Sequence, residues 1–125
     1  PQAVNILGGY GARGKSEKEA SKILADARSV AAAGAFAIVV EGVMEELATK
    51  LSQAVAPPVI GIGASAQCDG QILVTEDMLG LFERTPRFVK RYGDLAGEIG
   101  EAARAYADEV RSRAFPTADQ TYHKS

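Results

Sequence analysis

Apolar residues recur at three- and four-residue intervals at Ala20, Ile23, Leu24, Ala27, Val30 and Ala31, which predicts a helix with one buried stripe. Ser16 and Glu19 stand before it at the spacing of a capping box, and Gly34 closes it as a residue free to turn left-handed. Phe36-Ala37-Ile38-Val39-Val40 drops the helical period for a continuous, largely β-branched run, the pattern of a strand buried on both faces of a parallel sheet. Glu41 ends that run. Helical spacing returns from Val43 to Val55, with Leu47, Leu51 and Val55 in register and Glu45 and Glu46 in the first turn, where the helix dipole favours acids. Pro57 and Pro58 stop it.

Val59-Ile60-Gly61-Ile62-Gly63 reads as a second buried strand and Gln71-Ile72-Leu73-Val74 as a third. Strands alternating with helices predict parallel pairing and right-handed crossovers, hence a doubly wound sheet or a (β/α)8 barrel. The remainder reads as helical. A short helix is expected from Pro86 to Tyr92, and Asp94 caps a longer one with Leu95, Ile99, Ala102, Ala103, Tyr106 and Val110 on one face. From Phe115-Pro116 onward a frayed polar tail is expected. Three strands fall short of a closed barrel, which takes about 250 residues. The chain is therefore expected to be part of a larger domain, and its start at Pro1 without an initiator Met is compatible with that.

Composition narrows the function classes. A formal net charge of -2 gives no broad electrostatic pull on nucleic acid or an anionic membrane. No stretch approaches the ~20 apolar residues of a membrane span, and the lone Cys68 has no internal disulfide partner, which points to a reducing cytoplasm. Four glycines between Asn5 and Lys15 predict a loop.

Glu41 is the leading candidate for chemistry, because catalytic groups of βα folds project from the carboxyl ends of strands. Desolvation there would raise its pKa and suit it to accept protons near neutrality. A strand-end acid that caps the next helix or pairs with a lysine is the competing reading. Gly61-Ile62-Gly63-Ala64-Ser65 predicts a tight turn where backbone approaches a ligand or merely packs. Arg84, Arg87, Lys90 and Arg91, interleaved with Phe82, Phe88 and Tyr92, form either an anion-binding cluster or a solvated helix face or subunit contact. Asp69 reads as a turn residue, Cys68 as a passive loop thiol, and His123 carries no signal.

Four ordered blocks give the pattern a family likeness. Pro1-Gln2-Ala3-Val4-Asn5 with Gly8-Gly9-Tyr10, Val39-Val40-Glu41 leading to Glu46-Leu47-Ala48, Pro58-Val59-Ile60-Gly61-Ile62-Gly63-Ala64, and Asp69-Gly70-Gln71-Ile72-Leu73-Val74 resemble the C-terminal half of ketopantoate hydroxymethyltransferase. The chain departs from the family at Ser65, where many members have Gly. The resemblance implies an α/β fold, the C-terminal part of a TIM (β/α)8 barrel of the phosphoenolpyruvate/pyruvate-type superfamily, with residues 1–125 supplying strands six to eight and their helices. It implies transfer of a hydroxymethyl group from methylene-tetrahydrofolate to 3-methyl-2-oxobutanoate, giving 2-dehydropantoate in pantothenate biosynthesis. Glu41 would be the catalytic base. The magnesium ion would be held by residues outside this chain, so activity would require the N-terminal half of the same enzyme, and a large homo-oligomer is expected. Another metal-dependent barrel acting on carbon–carbon bonds of 2-oxo acids is a rival of the same class. A non-catalytic truncated assembly module is a rival of a different one.

Overall fold

The computed structural model describes residues 11–123, so the part of the predicted glycine loop up to Tyr10 and the first block of the resemblance lie outside the described residues. Helix α1 (Glu17–Ala32) starts where Ser16 accepts the N–H of Glu19. The carboxylate of Glu19 reaches back to the N–H of Lys15 at 3.3 Å, one residue earlier than in a full capping box. Gly34, at φ 93, follows the helix end. Strand β1 (Ile38–Glu41), helix α2 (Glu45–Ala54), strand β2 (Val59–Ile62) and strand β3 (Gly70–Gln71) complete a three-stranded sheet in the order β1-β2-β3. Both pairings are parallel, with Val39 opposite Ile60, Glu41 opposite Ile62 and Gly70 opposite Ile60.

The core lies between this sheet and the two helices. Ala27 of α1, Val40 of β1, Leu47, Ala48 and Leu51 of α2 and Val59 of β2 are buried together. Leu51 and Val59 are fully enclosed, each contributing about 2 kcal/mol of burial free energy. Among the described residues only one face of β1 is covered, short of the expected burial on both: Val40 is 4% exposed, Val39 58% and Phe36, outside the strand, 92%. The two helices pack on the Val40 side, and none of the described residues seals the other.

The described residues divide into two compact units, one running to Leu73 and including Arg87–Val89, the other made of Val74–Pro86 and the chain from Lys90 on. In the second unit a short helix α3 (Thr75–Met78) follows Val74, its N-cap residue, which the pattern had assigned to a strand; that strand ends at Gln71. Residues 86–92 are not helical. Their polar groups are spent elsewhere: the N–H of Tyr92 donates to the carbonyl of Met78, and Arg91 donates to the carbonyls of Phe82 and Glu83. Helix α4 (Leu95–Ser112) starts as predicted, with Asp94 accepting the N–H of Gly97. Its apolar face is not covered by the described residues, since Ile99, Tyr106 and Val110 are exposed. In the segment expected to be a frayed tail, Phe115 meets the Tyr106 ring edge-on at 5.5 Å and Thr117 caps a 3-10 turn, Ala118–Gln120.

Candidate active site

Parallel pairing sets the carboxyl ends of the strands along one edge, where Glu41 is the last residue of β1. Side chains alternate along a strand, so with Val40 packed into the helix layer, Val39 and Glu41 project from the opposite, helix-free face. Glu41 is exposed there. The expected walling of its carboxylate by apolar strands is therefore not met by the described residues, because only β2 lies beside β1.

The backbone around Glu41 is fixed on both sides. Beyond it, Gly42 adopts φ 59, a conformation suited to glycine, and its N–H donates to the carbonyl of Ile62 at 2.9 Å. Arg13 bridges the turn by donating its N–H to Gly42 at 2.7 Å and accepting that of Met44 at 2.8 Å. Its guanidinium lies 3.8 Å from Glu19, so this cation is directed to the start of α1. Neither capping of the next helix nor an ion pair with lysine occupies Glu41: no side chain caps α2, and the ion pairs among the described residues do not include it.

An open cleft of about 640 Å3 lies between the first turns of α1 and α2, lined by Lys15, Glu17, Glu45 and Lys50 among others. Glu41 does not line it.

At the end of β2, Gly63 takes φ 59, as the predicted tight turn requires. A methyl group on Gly63 would overlap the ring of Phe88, which packs directly on this glycine. Ser65 points inward rather than toward a ligand. Only 3% exposed, its hydroxyl meets Thr49 Oγ1 at 2.8 Å and accepts the N–H of Gln67 at 3.1 Å. The connection from β2 to β3, residues 63–69, is shorter than the dozen or more residues of a usual parallel crossover. Hydrogen bonds stand in for the absent helix. Asp69 accepts the N–H of Val59 at 2.8 Å and the hydroxyl of Ser52 at 3.3 Å, while the Gln71 amide donates to the carbonyl of Ser65 at 2.7 Å. Asp69 thus does more than shape a turn. Gly61 leaves room for that amide, since a Cβ there would meet Gln71 Oε1 at 3.0 Å and Cys68 Sγ at 3.2 Å. Cys68 is a buried, free thiol.

Arg91 is committed to loop carbonyls, Lys90 Nζ lies 4.9 Å from the centre of the Tyr92 ring, and Arg84 and Arg87 are exposed. Among the described residues no group of three or more His, Cys, Asp or Glu could hold a metal ion. These residues do not by themselves fit a magnesium site. Sequence reasoning missed two contacts, Phe88 on Gly63 and Gln71 over Gly61. The only trace of either in the sequence is the pair of glycines flanking Ile62.

Comparison with known proteins adds what one carboxylate cannot. Residues 1–118 match the model of the family described as ketopantoate hydroxymethyltransferase. Over 122 residues the chain is 72% identical to a 3-methyl-2-oxobutanoate hydroxymethyltransferase of Novosphingobium aromaticivorans, covering 98% of this chain and 42% of that protein. Proteins of the same name from Sphingopyxis alaskensis and Erythrobacter litoralis are 68% and 63% identical over the same shares. The chain thus spans less than half the length of these relatives.

Proposed function

Because the chain belongs to the ketopantoate hydroxymethyltransferase family, we propose that it is the part of such an enzyme that carries the catalytic base, Glu41. The observation that carries this reading is the position of Glu41, at the carboxyl end of a parallel strand and on the face that the helices leave open. In a (β/α)8 barrel that face is the interior and that end is the mouth where chemistry occurs. The half-exposed apolar face of β1 and the three-stranded sheet fit strands six to eight of a barrel whose other strands come from outside the described residues.

The proposed substrates are 3-methyl-2-oxobutanoate and methylene-tetrahydrofolate. Water cleaves both carbon–nitrogen bonds of the methylene bridge, releasing tetrahydrofolate and leaving the carbon at the formaldehyde level. Glu41 removes the proton from the carbon next to the ketone, that carbon adds to the one-carbon unit, and the alkoxide formed takes the proton back from Glu41 to give 2-dehydropantoate. The magnesium ion implied by the resemblance has no donor set among the described residues, and no step here depends on it.

Activity then requires the N-terminal half of the same enzyme. The same reading places the protein in the cytoplasm as a homo-oligomer, with the exposed Ile99, Tyr106 and Val110 of α4 as contact residues. No helix among the described residues is long and apolar enough to cross a membrane. The test is the formation of 2-dehydropantoate by purified protein. The full-length enzyme is expected to turn over and residues 1–125 alone are not; product formed by this chain alone would contradict the proposal.

A further inference from the structure

We infer that Phe88 is a specificity-determining residue of the reaction proposed above, an aromatic wall against which the planar, nitrogen-rich ring of the one-carbon carrier rests; the inference depends on that reading of the chain. Its placement comes from the backbone. Phe88 packs on Gly63, and Gly63 directly follows Ile62, the register partner of Glu41. The Gly42 N–H bonded to the Ile62 carbonyl at 2.9 Å carries the pairing to the strand ends. Strand spacing and rise then set the Cα of Gly63 about 6 Å from that of Glu41.

Two features separate Phe88 from a core aromatic. It keeps 38% of its surface exposed, whereas the core beneath the sheet is aliphatic. It also lacks an aromatic neighbour among the described residues, where the one ring pair is Tyr106 with Phe115. Gly63, at φ 59, holds the ring against the strand end, because any side chain at that position would push it outward.

The chemistry of the ring selects the ligand. A phenyl group offers neither charge nor a hydrogen bond, so what it recognises is a flat π-face or an apolar edge. Of the two substrates only the carrier presents a flat ring, and its reactive carbon is bonded to nitrogens of that ring system. Stacking beside Glu41 would orient that carbon toward the deprotonated oxo acid.

The test uses the full-length enzyme with Phe88→Leu and Phe88→Tyr. Loss of the aromatic face should raise KM for methylene-tetrahydrofolate about tenfold in Phe88→Leu, with recovery in Phe88→Tyr. The KM for the oxo acid and the carrier-independent entry of solvent deuterium into it should not change. An unchanged carrier KM in Phe88→Leu, with deuterium entry intact, overturns the role of Phe88 and leaves the functional reading standing. Slowed deuterium entry in Phe88→Leu marks the ring as a structural support and also overturns its role. Absence of deuterium entry in the unmodified enzyme overturns the functional reading, and the role of Phe88 with it.

Discussion

The carboxylate of Asp69 accepts the backbone N–H of Val59 at 2.8 Å, tying the approach to β3 to the first residue of β2. Val59 is wholly buried, so removing this acceptor would strand a donor that the sheet does not use. Replacement of Asp69 by Ala is expected to lower stability by about 1–2 kcal/mol. Asn, which keeps one acceptor oxygen, should recover most of the loss. Denaturant titration of the full-length enzyme measures both; equal stability of Asp69→Ala and the parent would show that the crossover is held by other contacts.

Gly63→Ala meets two obstacles at once. A non-glycine residue at φ 59 costs about 1–2 kcal/mol, and the added methyl overlaps Phe88. The expected loss exceeds that of Gly42→Ala. Gly42 has the same φ of 59 but open space where its Cβ would go. The difference between the two variants in thermal unfolding isolates the contact with Phe88.

Leu51 is 1% exposed in the layer between α2 and the sheet. Leu51→Ala should destabilise by about 2–5 kcal/mol, the range for a large-to-small change in a packed core. An exposed-surface effect, below about 0.5 kcal/mol, would show the core to be wrongly placed.

Local signals in the sequence carried through to structure where the deciding forces are local. Ser16 and Asp94 cap their helices because a short polar side chain can reach a free N–H three residues on without help from the rest of the chain. The parallel order of the strands was legible for a related reason, since buried β-branched runs separated by helices leave few alternatives. What the pattern could not reveal was set by distant partners. Residues 86–92 carry a plausible helical spacing, yet the backbone N–H of Tyr92 bonds to the carbonyl of Met78 in place of a helical partner, and the Arg91 guanidinium is drawn to the carbonyls of Phe82 and Glu83. Val39 looks like a residue buried in a central strand, but burial on its face depends on elements other than α1 and α2. The position of Glu41 at a strand end was readable from sequence. The packing of Phe88 on Gly63, between residues far apart in the chain, was not.

The basic cluster yields a contrasting expectation. Lys90 lies over Tyr92, Arg91 binds loop carbonyls, and Arg87 is exposed without an ion-pair partner among the described residues. Arg87→Ala with Lys90→Ala in the full-length enzyme should leave the apparent affinity for a polyglutamylated folate within about twofold, as for solvated charges. A tenfold loss would make the cluster a docking site for the acidic tail.

Removal of the carboxylate at the end of β1 should be silent for folding and severe for chemistry. Glu41→Gln keeps the size and shape of the side chain and Glu41 makes no ion pair among the described residues, so the variant should stay folded, while loss of a general base should slow proton removal by about 10²–10⁴-fold. Following deuterium from the solvent into 3-methyl-2-oxobutanoate on the full-length enzyme, without the carrier, reads that step alone. Exchange in the parent and its near-absence in a stably folded Glu41→Gln variant is the predicted result; exchange at the parental rate in that variant would contradict it.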